Sequence, residues 1–141
     1  MIYPTLYTKI ETILNGISEI REVYDHPTPN LDKYPAAMFF PTGMENSFET
    51  TEDNMKVYTW KVFLIIGTRQ KSVSEIMRNT MPKLVDAFLQ AVDDGWSFDA
   101  IDGHRVWTKV EAGSWSVSDE VGGLEVTSEF DLSVKLLTSN N

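Results

Sequence analysis

The residues whose types and spacing could do chemistry begin with a short acidic segment that ends in a histidine. Asp99-x-x-Asp102-x-His104 places oxygen and nitrogen ligands within six residues, a grouping that could in principle hold a metal ion. No second cluster of ligands accompanies it in the sequence, and Gly103 beside Asp102 is typical of a tight turn. We therefore interpret this segment as a polar loop and predict no metal site.

The second histidine also has an acidic neighbour. Asp25 and His26 could form an acid–base pair, but Pro27 follows at once and neither residue has an obvious partner elsewhere in the sequence. Asp and Pro are both common in turns, so a local turn is the preferred interpretation.

Motifs for nucleophilic or phosphate chemistry are missing from the sequence. It contains no Gly-x-Ser-x-Gly, no Gly-x-Gly-x-x-Gly and no Gly-x-x-x-x-Gly-Lys. Paired carboxylates would have to be Glu49 with Glu52 or Asp53, in a polar stretch with nothing apolar nearby to raise a pKa. The sequence therefore predicts a protein that is not an enzyme and uses no cofactor.

Three of the four tryptophans, together with one phenylalanine, cluster in the second half of the chain. A platform for stacking nucleic-acid bases would need interleaved basic residues, and only Arg105 and Lys109 are close, amid strong negative charge. We interpret these aromatics as core residues or as an anchor at a subunit interface. The residues are Trp96, Phe98, Trp107 and Trp115.

Length and composition limit the class of protein. A chain of 141 residues is long enough to bury one core, and we predict a single domain over residues 1–141. The lack of cysteine excludes disulfides, thiolate zinc sites and cysteine nucleophiles. Lys9 and Glu11 come too early for a signal peptide, and no apolar run approaches the roughly 18 residues of a membrane span. The expectation is a soluble protein made in the cytoplasm, with no membrane partner.

The net charge of −9 is unevenly distributed along the chain. Lys56–Lys83 carries six basic residues and one acid, whereas the remainder has a balance of −14 and Val110–Val134 contains no base. Such a chain is a poor candidate for holding a phosphate backbone, which requires clustered Lys and Arg. Two interpretations stay open: a solvated acidic surface, or self-complementarity between a basic patch on one copy and an acidic patch on the next.

Two elements form the predicted core unit. Met55–Gly67 is rich in β-branched and aromatic residues and predicts a long central strand, apolar on both faces in its second half. Ser72–Asp94 has apolar residues every three or four positions, which predicts an amphipathic helix. Ser72-x-x-Glu75 is a capping box, and Pro82 predicts a kink or a division into two helices.

The remaining elements follow from periodicity and turn residues. Ile2–Ile17 reads as a first helix, Thr42–Asn54 as a weak extended hairpin with its tip near Glu52–Asn54, and Gly122-Gly123 as a hairpin turn. Further strands are predicted over Ile20–Asp25, Pro35–Pro41, Arg105–Ala112, Ser114–Val121 and Leu124–Leu137. Together these elements predict an α+β fold with an antiparallel or mixed β-sheet, two main helices packed on one face and a long C-terminal hairpin.

This order of elements resembles the tail terminator, or tail completion, proteins of long-tailed bacteriophages. The resemblance spans roughly Ile2 to Leu137. It rests on the order of the elements and on the general residue pattern of each segment, not on a signature motif. The segments that carry it are IYPTLYTKIETIL, YPAAMFFPTG, MKVYTWKVFLII, SVSEIMRNTMPKLVDAFLQAV and LEVTSEFDLSVKLL.

The resemblance implies a structural virion protein without catalytic residues. It would form a ring, typically a hexamer, that caps the tail tube, ends tube polymerisation and offers a surface to the head–tail connector protein. Its partners would be further copies of itself, the tail tube protein and the connector, with DNA passing through the lumen without specific binding. It would be assembled in the host cytoplasm and located in the tail or neck of the virion.

In the ring that the resemblance implies, two segments of opposite charge are candidate interface or lumen elements. The acidic stretch offers Glu45, Glu49, Glu52 and Asp53, and the turn after the central strand offers Arg69 and Lys71. Opposite charges of this kind suit head-to-tail contacts, which close into a ring when the rotation between copies allows it.

Three alternatives stay open at this point. A neck or head-completion protein of the connector shares the size and the oligomeric habit. A small-molecule-binding or enzymatic α+β domain would use a pocket near Trp96 and His104. An adaptor or inhibitor would act as a monomer through its acidic face.

Overall fold

The computed structural model describes residues 2–28, 31, 33–48, 53–67, 72–96, 100–101, 104–120 and 123–139. The helical elements are α1 (Ile2–Asn15), α2 (Val73–Glu75), a π-helical segment (Ile76–Thr80) and α3 (Met81–Trp96). The strands are β1 (Glu22–Tyr24), β2 (Ala36–Phe48), β3 (Asp53–Gly67), β4 (Ala100–Ile101), β5 (His104–Glu120) and β6 (Gly123–Ser139). The α+β class that the sequence predicts is confirmed.

The strands form a mixed sheet in the order β1-β2-β3-β6-β5-β4. The first pair, β1 with β2, is parallel, and every other neighbouring pair in this order is antiparallel. The sheet is centred on β3 and β6, which pair in unbroken register from Asp53 opposite Ser139 to Gly67 opposite Glu125. The stretch predicted to be the central strand therefore occupies that position.

The core lies between the helices and the sheet. Trp60, Val62 and Leu64 of β3 are fully buried, because alternate residues of a strand point to the same face. They belong to one apolar cluster with residues of both longer helices: Leu6, Ile10 and Leu14 of α1, and Met81, Leu84, Phe88 and Val92 of α3. Aromatic rings join these layers, with Tyr7 edge-on to Trp60 at 4.9 Å and Phe88 at 5.1 Å from Phe130.

The long helical stretch changes its hydrogen-bond pattern just before Pro82, and its residues are helical without a gap from Val73 to Trp96. The Ser72 hydroxyl accepts a hydrogen bond from the Glu75 amide at 3.1 Å, so the predicted N-terminal cap is present. One π-helical turn follows, and α3 then begins at Met81 with Pro82 in its first turn. The Met81 amide donates to the Ile76 carbonyl in this wider turn, which directly precedes the residue that lacks an amide.

Two predicted strand boundaries are wrong. Arg105–Ala112 and Ser114–Val121 are a single strand, β5, with a bulge between Val110 and Ala112. The bulge reverses which alternate residues face the core, and this break in periodicity resembles a turn in the sequence. The prediction that Pro41 ends its strand is also wrong, since β2 continues through it with a bulge before Gly43.

Several predicted turns lie wholly or partly outside the described residues. They include the tip of the Thr42–Asn54 hairpin, the Asp102-Gly103 turn and the start of the Gly122-Gly123 turn. Within the described ranges, no helix combines the length and apolar character needed to cross a membrane.

Candidate functional site

The structure describes only part of the predicted interface set. Glu45 is exposed on β2. Asp53 opens β3, but its side chain is outside what the structure describes, and so are Glu49, Glu52, Arg69 and Lys71. Whether the acidic and basic members of this set come together therefore stays a prediction.

The structure describes the two histidine segments in part. Asp99 and Asp102 lie outside the described residues, and His104 is half-buried at the start of β5. The Asp25 carboxylate lies 2.9 Å from Nδ1 of His26, and both side chains are more than half exposed. Among the described residues, no group of three or more His, Asp and Glu could hold a metal ion.

The sheet has two open edges in the part of the chain that the structure describes. At one side, β1 pairs with only Ala36–Met38 of β2, so β2 continues as an edge from Phe39 onward. At the other side, β4 pairs with only His104 and Arg105 of β5. Edge strands present unpaired backbone amides and carbonyls to any chain that approaches, and proteins usually protect them.

The open part of β5 is long and weakly protected. All eight residues from 111 to 118 are exposed on both faces of the strand, and 112–118 carries no charge and no proline. Trp115 and Val117 are 39% and 45% exposed. Charges and prolines are two common means of protecting an edge from other chains, and this segment has neither.

A basic and aromatic patch lies on the face of the sheet opposite Trp60 and Val62, called here the outer face. Arg105, Trp107 and Lys109 alternate along β5 and are all exposed, with Trp107 at 46%. Lys135 of β6 is directly opposite Trp107 in the strand register, so its side chain points to the same face. We call these four residues the β5 patch. In the described parts of the chain, none of its three bases has an ion-pair partner.

Another outer-face cation is fully paired. The ammonium of Lys61 lies 2.7 Å from Glu129 and 2.9 Å from Asp131, both on the neighbouring strand β6. The hydrogen bond to Glu129, followed by that to Asp131, raises the pKa of Lys61 above its ordinary value of 10.5. Its role is to join β3 to β6, which leaves the β5 patch as the unpaired cationic surface of this face among the described residues.

The β5 patch is a site that sequence reasoning discounted. Arg105 and Lys109 are recognisable beside Trp107 in the sequence, but the surrounding acidic residues suggested that positive charge is diluted there. The sequence feature that could have revealed the patch is the spacing of Arg105, Trp107 and Lys109 at every second position, since residues at i, i+2 and i+4 of a strand share a face. Lys135 is separated from Trp107 by 28 positions, and only strand pairing brings it close.

The chain matches no protein-family model, and none of the curated proteins matches it.

Proposed function

We propose that this chain is a structural virion protein that assembles into a ring, most simply a hexamer, at the end of a phage tail tube. The ring would stop tube polymerisation and provide the surface to which the head–tail connector joins. This is the tail terminator role that the resemblance implies. It requires no catalysis, cofactor or membrane, and it places the protein in the virion tail or neck after assembly in the host cytoplasm.

The observation that carries this proposal is the pair of open edges on opposite sides of one sheet. One is the β2 edge from Phe39 onward, and the other is the β5 edge from Trp107 onward. Two different surfaces on opposite sides of a subunit favour head-to-tail association, which forms a closed ring when the rotation between neighbours divides a full turn.

The proposed subunit has both main helices on one face of the sheet and a C-terminal hairpin of β5 and β6. Two aromatic contacts support the helix arrangement: Tyr7 of α1 packs against Trp60, and Phe88 of α3 packs against Phe130. The strand register places Trp60 and Phe130 on the same face of the sheet. The antiparallel pairing of β5 with β6 supports the hairpin. Among the described residues, this arrangement leaves the β2 edge from Phe39 onward and the β5 edge from Trp107 onward open to neighbouring copies.

Charge supports passage of DNA without specific binding. A chain of net charge −9 repels the phosphate backbone at any surface where its acidic residues dominate. An acidic lumen would allow DNA to slide, provided that the basic residues are used between copies rather than in the channel.

The test has two readouts on the purified chain. Light scattering over a range of protein concentrations should give a mass of about six times 16.0 kDa for the assembled form. Electron microscopy of tubes polymerised from the tail tube protein of the same genome should show shorter, capped tubes when the chain is present. The connector protein should bind those capped ends.

Two outcomes would contradict the terminator role. Tubes whose length and ends are unaffected, with the chain binding only the connector, would assign it to the neck instead. A ligand-induced increase in melting temperature that disappears in His104→Ala would favour the pocket alternative.

A further inference from the structure

We propose that the β5 patch binds the β2 edge of a second copy, with Arg105 and Lys109 on either side of the neighbour's Glu45. This inference rests on the proposed function only for the assumption that the chain associates with itself. It adds the surface and the residues through which neighbouring copies meet.

The strand register places the two proposed surfaces in one line across the outer face. Glu45 of β2 is opposite Val57 of β3, Val57 is opposite Lys135 of β6, and Lys135 is opposite Trp107 of β5. Glu45 and Trp107 therefore occupy the same cross-sheet row, on the same face and at opposite edges. Copies placed side by side in the same orientation bring Glu45 of one next to Trp107 of the other.

The charges of the two edges are complementary. Arg105 and Lys109 lie two residues before and after Trp107, and diagonal neighbours across a strand pair are roughly 7–8 Å apart, within reach of long side chains. Glu45 is exposed, and among the residues of known placement it is the charged side chain of the open β2 edge. One carboxylate between two cations is a favourable arrangement, and like charges across a contact are costly.

The strand directions also fit. Each step from β2 through β3 and β6 to β5 is antiparallel, so β5 runs opposite to β2. A neighbour in the same orientation therefore presents its β2 antiparallel to the β5 edge. Antiparallel strands can exchange backbone hydrogen bonds perpendicular to their direction. Among the described residues, unpaired groups are available from Trp107 onward in β5, beyond its pairing with β4, and from Phe39 onward in β2, beyond its pairing with β1.

One register that would pair two β5 edges with each other is unfavourable. An antiparallel pair centred on Trp115 would place Glu111 of each copy opposite Asp119 of the other. Like charges directly opposite in a sheet are destabilising. This repulsion counts against that register of a contact between two β5 edges.

The test uses charge reversal on each edge of the full chain. Arg105→Glu with Lys109→Glu changes the β5 patch, and Glu45→Lys changes the β2 edge. Each variant alone should raise the dissociation constant of self-association by roughly tenfold or more, because attraction becomes repulsion. Sedimentation velocity over a series of concentrations measures this change.

Mixing the two variants separates this contact from a general effect of charge. In the mixture, the acidic β5 patch of the first variant can bind the basic β2 edge of the second. The unchanged β5 patch of the second variant can bind the unchanged β2 edge of the first. The equimolar mixture should regain the association constant of the wild type, in assemblies with alternating subunits. Such recovery follows only if the two edges bind each other.

Matched controls have the same chemistry elsewhere on the surface. Arg78→Glu with Lys83→Glu reverses one exposed Arg and one exposed Lys on the helical side, and Glu11→Lys reverses an exposed acid of α1. Both should associate like the wild type. Circular dichroism melting curves of all variants identify any that fail to fold, and Arg105→Gln with Lys109→Gln then provides a milder replacement.

The outcomes distinguish this inference from the proposed function. A β5 variant that associates like its control, a mixture that stays dissociated, or a wild type that is monomeric at all concentrations would overturn the inference. If the wild type caps tubes in any of these cases, the terminator role stands with another interface. Recovery in the mixture without any capping of tubes would retain the contact and reject the role.

Discussion

At the scale of single residues, Lys61 joins the two central strands. Its ammonium contacts Glu129 and Asp131, which would otherwise be two neighbouring carboxylates on one face of β6. Replacing Lys61 by Met removes the attraction and leaves their repulsion. Because all three side chains are about one third exposed, we expect a loss of about 1 kcal/mol of unfolding free energy at pH 7. Urea unfolding measures it.

The pH dependence of that loss follows from the direction of the pKa shift. The folded state holds the Lys61 proton more tightly than the unfolded state, so its pKa is raised above 10.5 on folding. The stabilisation is complete below pH 10.5 and is lost as the pH rises through the higher pKa of the folded protein. The wild type and Lys61→Met should therefore converge in strongly alkaline buffer. Lys56→Met on the same strand is the control, and a constant difference at every pH would contradict the assignment.

At the scale of the element, Gly113 allows β5 to pass beneath an aromatic ring. A Cβ atom at this position would lie 2.9 Å from the ring of Phe130, which is buried and packed against Phe88. Gly113→Ala should therefore destabilise the protein by about 1–3 kcal/mol, because the buried ring or the strand must shift to make room for the methyl group. Thermal and urea unfolding both report the change.

Gly43 provides the matched control, since it also follows a bulge in an edge strand. A Cβ atom added there would have no neighbour within 4 Å, and the residue is exposed. Gly43→Ala should leave stability unchanged or raise it by about 0.4–1 kcal/mol through the unfolded state. Equal effects of the two substitutions would show that the contact between Gly113 and Phe130 is not what restricts this position.

The elements with continuous periodicity were predictable from the sequence, and those interrupted by bulges were not. The alternation of Leu124–Leu137 predicted β6, and the apolar character of Met55–Gly67 predicted the position of β3 at the centre. A bulge adds one residue to one strand, so that two residues lie opposite a single residue of the partner strand. That partner strand is distant in the sequence, so the extra residue cannot be recognised from the local pattern. For this reason the single strand β5 was divided in two, and β2 was ended at Pro41.

The same limit explains what was missed in the candidate site. Charge counts along the sequence drew attention to Lys56–Lys83, where six bases are close in the chain. The β5 patch combines bases from β5 and β6, and its relation to Glu45 passes through four strands. Such a site depends on register, and register is a property of the whole sheet rather than of any segment.

At the scale of the whole molecule, the proposed assembly must overcome the repulsion between copies of net charge −9. This repulsion acts over distances between subunit centres, whereas the proposed contact between the β5 patch and Glu45 acts within a few ångströms. Salt screens the long-range repulsion at lower concentrations than the short-range contact. The Debye length falls from about 30 Å at 0.01 M to about 10 Å at 0.1 M and about 3 Å at 1 M.

Self-association should therefore pass through a maximum as salt increases. At 0.01 M salt, repulsion between whole subunits opposes association. Near 0.1 M this repulsion is largely screened, while the contact between the β5 patch and Glu45 persists. At 1 M that contact is weakened as well. Sedimentation velocity at these three salt concentrations measures the degree of association at each. The variant with Arg105→Glu and Lys109→Glu should show no maximum. A steady increase of association with salt would indicate that apolar residues such as Trp107 and Trp115 dominate. A steady decrease would indicate that ion pairs outweigh the net repulsion at every ionic strength.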